Sequence, residues 1–209
     1  MIKLERAQVM NLENALRGMR NPLDSWEKSD SGYQLTEDGG RYVIGPDDLN
    51  LARRLVKAGS DHRKFLRQIF VSVDITAPLY WWKEFDTYKV GTVANSTSTM
   101  HRIHAKPITV ADFSTERLST LGMTYLEMIV DVLEMRRRQY VDTHDQAAWD
   151  DMIQLLFTSY NQMRTVTMSF ENLLSMHGAR MTHKLPEWRE FCRWSETLPY
   201  FREICLEIE

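Results

Sequence analysis

The sequence predicts a mostly helical α+β fold with a minor sheet. Its 209 residues suit one domain, because domains usually hold about 100–200 residues. Long amphipathic stretches with helical spacing fill the second half, whereas residues 2–9 and 71–75 alternate apolar and polar side chains as strands do. We therefore expect a single domain over residues 1–209 in which helices outnumber strands.

Helices and strands alternate in the first half of the chain. Apolar residues three and four positions apart predict each helix, alternation predicts each strand, and Pro and Gly mark helix ends. The predicted elements are, in order, a strand over 2–9, a helix over 11–19, a hairpin or ordered loop over 33–44 that turns at Asp38-Gly39-Gly40, a helix over 46–59, a helix feeding a strand over 65–75, and a helix over 78–88.

The second half is predicted to be helical. Four stretches carry Met, Leu, Ile and Phe on one side: 120–140, 146–160, 164–181 and 186–206. The run Arg136-Arg137-Arg138 is expected near a helix end, where cations complement the carbonyl dipole. Cys192 and Cys205 lie far from any pair of histidines, so no metal site is predicted.

Charge and composition exclude several classes of partner. With 26 Lys and Arg against 29 Asp and Glu, the chain lacks the broad basic face that duplex binding needs, so no nucleic-acid partner is expected. The first residues are charged where a signal peptide is apolar, and no run approaches the roughly 20 apolar residues of a membrane span. We expect a cytoplasmic protein with no membrane partner.

The segment from Tyr88 to Arg102 is the most informative part of the sequence. Hydroxyl side chains and one carboxamide, Asn95, crowd between aromatic and basic flanks. Such groups hydrogen-bond phosphates and base edges and bring little apolar area to bury. The segment therefore favours an anion or nucleotide site, with a Ser- and Thr-rich surface loop as the open alternative.

The same segment resembles the signature RHRxxSxNxxSxR of the flavin-dependent thymidylate synthases, also called thymidylate synthase complementing proteins. The signature's Asn and second Ser fall on Asn95 and Ser98. Its RHR becomes Tyr88-Lys89-Val90, its first Ser becomes Val93, and its last Arg becomes Met100. The resemblance therefore covers the spacing of the signature and only part of its residues.

Three further stretches resemble this family in order along the chain. Residues 59–65, with His62, resemble the family's Gly-His and Glu-His region. Residues 161–164 are similar to its Gln-Ala-Arg element, and Arg180 and Arg189 resemble the arginines of its last helix pair. The resemblance thus extends from about residue 59 to residue 189.

The resemblance implies a fold and an activity. The fold is an α+β subunit with a small antiparallel sheet that assembles as a homotetramer with shared sites. The activity is that of an FAD-dependent methyltransferase, the reductive methylation of dUMP or a related reaction on a pyrimidine deoxynucleotide. FAD carries the hydride, a folate supplies the one-carbon unit, and NADPH is the implied reductant.

The resemblance also implies roles for individual residues. Arg189 is the implied catalytic residue, which polarises the uracil ring and stabilises charge developing there. The implied nucleotide-binding residues are Ser98, Arg164, Lys89 and Ser96, and the implied flavin-binding residues are Asn95, Arg180, His62 and Tyr88.

Two alternatives to an enzyme stay open. Loss of the RHR element favours a catalytically inactive homologue that binds or sequesters a nucleotide. The many Met and Trp side chains are also compatible with a structural or interaction protein whose hydroxyl-rich segment is an incidental loop.

Overall fold

A computed structural model describes residues 2–36 and 39–208. It confirms the predicted mostly helical α+β fold with a small antiparallel sheet. Its elements are, in order, β1 (Lys3–Met10), α1 (Leu12–Arg20), β2 (Gly32–Thr36), β3 (Gly39–Val43), α2 (Pro46–Lys57), β4 (Phe70–Pro78), α3 (Leu79–Phe85), β5 (Val93–Ser96), α4 (Thr99–Arg102), α5 (Thr120–Thr143), α6 (Gln146–Gln154), β6 (Asn161–Ser169), α7 (Phe170–Arg180), α8 (Pro186–Ser195) and α9 (Phe201–Cys205).

The strands form two sheets. The larger has the order β1-β4-β6-β5, and β2 and β3 form a separate antiparallel hairpin in which Thr36 is paired with Gly39. The sequence predicted a turn at Asp38-Gly39-Gly40, but both glycines belong to β3. Asp38 lies outside the described residues.

The described residues fall into two compact units. Unit 1 holds residues 2–3, 74–87 and 94–165, and unit 2 holds residues 4–36, 39–73, 88–93 and 166–208. A single domain over residues 1–209 stays a prediction.

The core of unit 1 lies around α5 and α6. Leu126, Val130 and Leu133 on α5 pack with Met152 on α6, and Ile103, Ile108 and Phe113 from the preceding loops complete this cluster. These residues are almost fully buried. The cluster thereby holds the loops of residues 103–113 against α5.

The core of unit 2 includes a group of aromatic rings. Phe170 on α7 meets Phe201 on α9 edge to face with ring centroids 5.2 Å apart, and Phe191 meets Trp188 on α8 in the same way at 5.8 Å. A buried ion pair, Arg20 Nε to Asp48 Oδ1 at 2.6 Å, lies in the same unit. Unit 2 therefore combines a large apolar core with one desolvated charge pair.

One segment that was predicted to be helical forms a strand. Residues 164–169 were predicted to begin a helix, but residues 161–169 form β6. The Thr165-Val166-Thr167 sequence explains this, because β-branched side chains favour strands and alternate residues here are buried on one face. Arg164 therefore lies on a strand and not on an amphipathic helix.

Other helix boundaries also differ from the predictions. The helix predicted over 146–160 ends at Gln154, and the backbone oxygens of Thr158 and Tyr160 beyond it accept hydrogen bonds from the amides of Tyr80 and Leu79. The helix predicted over 186–206 is interrupted at residues 196–200, where Pro199 lacks the N–H that a helix needs. The helix predicted over 78–88 ends at Phe85, before Tyr88.

The arginine run lies inside α5 and not near its end, since α5 continues to Thr143. Arg137 and Arg138 pair with Glu134 on the same helix, and Arg136 pairs with Asp151 of α6 at 2.5 Å. A carboxylate one helical turn away explains Arg137 and Arg138, and a carboxylate on the neighbouring helix explains Arg136, better than the helix dipole does.

Candidate functional site

A cavity of about 540 Å³ lies in unit 1 where the hydroxyl-rich segment meets the ends of two strands. Its volume is in the range of about 300–1,000 Å³ typical of small-molecule sites. Its wall is formed by Thr76, Thr97, Ser98, Thr99, Arg102, Ile103, Ala105, Lys106, Ala111, Asp112, Tyr160, Asn161 and Met163.

Backbone pairing places the hydroxyl-rich segment at the cavity. The amide of Thr97 donates to the carbonyl of Met163 on β6 at 2.9 Å. The chain then turns, and Ser98 caps α4 by accepting a hydrogen bond from the His101 amide at 3.0 Å. Ser98 and Thr99 follow the last paired residue directly, and both line the cavity.

Two cations lie at the cavity. Arg102 is exposed and makes no hydrogen bond or ion pair within residues 2–36 and 39–208. Lys106 donates to Asp112 Oδ1 at 2.7 Å, and this bond raises the pKa of Lys106. Burial opposes the charge on Asp112, but bonds from Lys106 and Thr109 outweigh burial and lower its pKa. Arg102 is therefore the cation that is free to meet an anion.

The strand ends supply the rest of the polar wall. Thr76 lies near the end of β4 and Asn161 begins β6. The ring of Tyr160 packs edge to face on Phe113, with centroids 5.5 Å apart. Burial raises the pKa of Tyr160, so its phenol stays protonated at neutral pH. This side of the cavity is neutral and rich in hydrogen-bonding groups.

The four predicted nucleotide-binding residues are not gathered in one place. Ser98 lines the unit 1 cavity, whereas Ser96 is exposed on β5 and is not part of the cavity wall. Lys89 belongs to unit 2, where it is exposed. Arg164 is in unit 1 but outside the cavity wall.

Arg164 is held by contacts on the other face of β6 from the cavity. Asn161 and Met163 line the cavity, so residues 162 and 164 point the opposite way. The Arg164 guanidinium lies 4.1 Å from the ring centroid of Trp82 and pairs with Asp86 at 2.8 Å. Its Nε also donates to Gln162 Oε1 at 3.0 Å. Stacking and ion pairing therefore engage this guanidinium within unit 1.

Two predicted flavin-binding residues contact each other in unit 2. Arg180 Nε donates to the Tyr88 hydroxyl at 2.9 Å. The Arg180 guanidinium lies 5.5 Å from the Tyr88 ring centroid and 5.0 Å from that of Trp188. The two rings meet edge to face at 5.8 Å. Arg180 is thus held between two aromatic rings by hydrogen bonding and cation–π attraction.

The other two predicted flavin-binding residues lie elsewhere. His62 is exposed and lines a separate cavity of about 490 Å³ in unit 2, with Lys64, Phe65 and Gln68 among its walls. Asn95 is exposed on β5 in unit 1. Within unit 2, the His62 cavity does not include Tyr88 or Arg180.

Arg189, the predicted catalytic residue, is not among the residues of the unit 1 cavity wall. It lies on α8 in unit 2, half-buried, and its Nη1 donates to the carbonyls of His183 at 2.5 Å and Lys184 at 3.2 Å. These bonds hold one nitrogen on the loop before α8. Nε and Nη2 make no hydrogen bond within the described part of the chain.

Sequence reasoning did not select four of the polar residues that line the unit 1 cavity. Arg102 was included only as the basic end of the hydroxyl-rich segment, and Lys106 lies four positions after it, a spacing that could have identified the two as a pair. Asn161 was included only in the stretch 161–164 that resembles the Gln-Ala-Arg element, and Tyr160 carried no signal. Both residues lie about 60 positions further along the chain than the hydroxyl-rich segment.

Cysteine and metal chemistry have no support in the described residues. Cys192 and Cys205 are buried and free, and burial raises the pKa of both thiols, that of Cys192 to about 11. Residues 2–36 and 39–208 contain no cluster of three or more His, Cys, Asp or Glu side chains that could hold a metal ion. Nor do they contain a helix long and apolar enough to span a membrane.

Solved structures share this fold, although no protein-family model and no curated protein matches the sequence. Thymidylate synthase X (ThyX) from Helicobacter pylori with FAD and dUMP is 15% identical, with a TM-score of 0.71 over 99% of this chain and 98% of that chain. A second complex of flavin-dependent ThyX from Helicobacter pylori with FAD and dUMP is 16% identical, with a TM-score of 0.70 over 99% of each chain.

A third similar structure is the UMP/dUMP methylase PolB from Streptomyces cacaoi bound with 5-Br UMP. It is 13% identical, with a TM-score of 0.62 over 94% of this chain and 87% of that chain. At such identities the likeness shows a common fold.

Proposed function

We propose that this chain binds a pyrimidine nucleoside monophosphate in the unit 1 cavity and modifies its base, as a divergent flavin-dependent thymidylate synthase with a degenerate signature. One observation carries the proposal: the hydroxyls of Ser98 and Thr99 and the free guanidinium of Arg102 line one cavity of suitable size. The shared fold of proteins that hold dUMP or 5-Br UMP supports it.

The phosphate is assigned to the segment of residues 98–106. A guanidinium binds a phosphate through two parallel hydrogen bonds, and Arg102 has no competing carboxylate within the described residues. The hydroxyls of Ser98 and Thr99 can donate to further phosphate oxygens. Lys106 adds a second positive charge, which is paired with Asp112.

FAD is the cofactor that this function implies, with a folate as one-carbon donor and NADPH as reductant. The proposed FAD contacts stay Asn95, Arg180, His62 and Tyr88, whose amide, guanidinium, imidazole and phenol groups can donate hydrogen bonds to a flavin. In unit 2, Tyr88 and Arg180 contact each other, and the His62 cavity includes neither of them. Bound FAD supplies hydride transfer. The chain's own residues supply binding, orientation and charge.

Arg189 is the proposed catalytic residue. Its Nη1 is fixed by the carbonyl groups of His183 and Lys184, which orients the guanidinium plane. Nε and Nη2 remain as donors that can stabilise negative charge developing on a uracil ring. Of the proposed nucleotide contacts, Ser98 lines the unit 1 cavity, whereas Arg164, Lys89 and Ser96 are not part of its wall and stay predictions of the resemblance.

A nucleotide-binding protein without flavin chemistry is the second candidate. It is favoured by the bond between Arg180 and Tyr88, since each group already meets the other and Arg180 also lies on Trp188. An enzyme needs these side chains to hold a cofactor, whereas a binder needs only the unit 1 cavity. The two candidates therefore differ in whether the protein binds flavin, and both require that it binds a nucleotide.

Self-association is part of the proposal, and its surface is an apolar stripe on α5. The α5 stripe consists of Leu121, Tyr125, Met128, Val132 and Met135, spaced alternately four and three residues apart. All but Val132 are between 58% and 66% exposed. This heptad spacing is the pattern by which helices of two copies pack together, so it supports a second copy of the chain as the partner. The homotetramer itself is what the resemblance implies.

Two measurements on the purified protein test the proposal. Calorimetric titration with UMP and dUMP should give saturable binding, and the absorption spectrum after incubation with FAD should show bound flavin if the enzyme candidate holds. Binding without flavin absorbance supports the second candidate. No binding of either nucleotide at millimolar concentration removes both candidates and leaves a structural or interaction protein.

A further inference from the structure

Asn161 presents a side chain of fixed orientation to the unit 1 cavity. The Ser114 hydroxyl donates to Asn161 Oδ1 at 2.8 Å, and Ser114 is itself 7% exposed. Backbone bonds hold Ser114 beside the chain that precedes Asn161: the Ser114 amide donates to the Ser159 carbonyl at 2.8 Å, and Phe113 forms a bridge with Tyr160. The carboxamide is therefore held at its oxygen by a buried partner.

With its oxygen engaged, this carboxamide offers the cavity its amino group, which has two N–H donors and no acceptor. The neighbouring Tyr160 phenol stays protonated, so it can also donate a hydrogen bond. The carboxylate of the cavity, Asp112, is already bonded to Lys106 and to the Thr109 amide and hydroxyl. At the end of the cavity formed by the strand ends, the Asn161 amino group is thus a donor that cannot accept.

A fixed amino group distinguishes the two common pyrimidines. Uracil carries a carbonyl oxygen at its 4-position, which accepts a hydrogen bond, whereas cytosine carries an amino group there, which donates. A fixed N–H facing a second N–H leaves both groups unpaired, and a buried unpaired donor costs more than a hydrogen bond gains.

We infer that Asn161 is the residue that selects uracil over cytosine, by donating from Nδ2 to the 4-carbonyl of the base, and that Ser114 is a positioning residue that fixes the amide. This inference rests on the proposed function, because it needs a nucleotide in the unit 1 cavity. It adds the residue that reads the base.

Titration of UMP, dUMP, CMP and dCMP into the protein and its variants tests the assignment. We expect the uracil nucleotides to bind about tenfold more tightly, the effect of one net hydrogen bond. In Asn161→Asp the carboxylate accepts from the cytosine amine, so the ratio should invert. Asn161→Ala should abolish the preference without adding charge, and Ser114→Ala should reduce it because the amide can rotate.

The ratio of uracil to cytosine affinity is the decisive readout, because a loss of folding or a change in net charge affects all four nucleotides together. Asn14→Asp, an exposed position on α1, adds the same charge elsewhere and should leave the ratio unchanged. Circular dichroism checks that each variant is folded. An unchanged ratio in both Asn161 variants overturns the inference while leaving the proposed function in place, whereas failure of all four nucleotides to bind the unaltered protein overturns both.

Discussion

Arg180 Nε donates a 2.9 Å hydrogen bond to the hydroxyl of Tyr88, the residue that stands at the first arginine of the resembled signature. The same guanidinium lies over the Tyr88 ring. The signature has an arginine at this position, whereas this chain has the aromatic ring of Tyr88, which binds the guanidinium of Arg180. This exchange is the clearest chemical departure of the chain from the family it resembles.

Removal of the Tyr88 hydroxyl should destabilise unit 2. Tyr88→Phe keeps the ring over Arg180 but loses the hydrogen bond, which we expect to cost about 1 kcal/mol. Urea denaturation followed by tryptophan fluorescence measures the change. Tyr33→Phe is the matched control, because Tyr33 is 68% exposed and its bond to Glu13 is a long surface contact of 3.2 Å. Equal effects of the two substitutions would contradict a structural role for the Tyr88 bond.

Arg102 should account for most of the phosphate affinity. We expect Arg102→Ala to weaken UMP and dUMP binding about tenfold or more, because a charge-assisted, two-point contact is lost. The affinity of the unaltered protein should also fall as salt rises, and less steeply in the variant. Arg17→Ala removes an exposed arginine of α1 and should leave binding unchanged. If uridine binds as tightly as UMP, Arg102 does not hold a phosphate.

The sequence predicted most of the fold because local patterns specify it. Pro46 and the acids after it identified α2, and the alternation of residues 71–75 identified β4. β6 was mistaken for a helix because its apolar residues, Met163, Val166 and Met168, are compatible with the helical period of 3.6 as well as the strand period of 2 over so few residues. Only pairing with other strands decides between the two.

The site was predictable to the extent that it is local. Ser98 could be selected because the hydroxyl-rich segment is contiguous, and it does line a cavity. Asn161 and Tyr160 meet that segment through strand pairing across about 60 residues of chain, which no spacing in the sequence records. Arg164 was selected from the sequence but does not line the cavity. Its neighbour Met163 does, and successive side chains of a strand point to opposite faces of the sheet.

The α5 stripe should control self-association. Met128→Lys places a charge in the middle of the stripe, so we expect a smaller assembly by light scattering coupled to size-exclusion chromatography. Glu127→Lys introduces the same side chain at the adjacent exposed position, outside the stripe, and should leave the assembly unchanged. An unaltered protein that is monomeric at all concentrations would contradict the proposed assembly.

Acid should loosen the segment that carries the cavity cations, because Glu134 anchors it. Glu134 accepts hydrogen bonds from Arg137 at 2.6 Å and from the Ile108 amide at 3.0 Å, and Arg137 also donates to the His104 carbonyl. Bonds from Arg137 above all, helped by the Ile108 amide, lower the pKa of Glu134 from 4.5 to about 2. A depressed folded-state pKa stabilises the protein above the unfolded-state value, and that stabilisation is lost as pH falls.

The window for this loss therefore lies between pH 4.5 and about pH 2. Glu134→Gln should lower the thermal midpoint at pH 7 and make the remaining acid dependence shallower in that window, because the substituted side chain does not titrate. Glu127→Gln, an exposed change on the same helix, should keep the slope of the unaltered protein. Thermal unfolding followed by circular dichroism between pH 2 and pH 7 gives both quantities, and parallel curves for the two variants would show that Glu134 does not anchor residues 104–108.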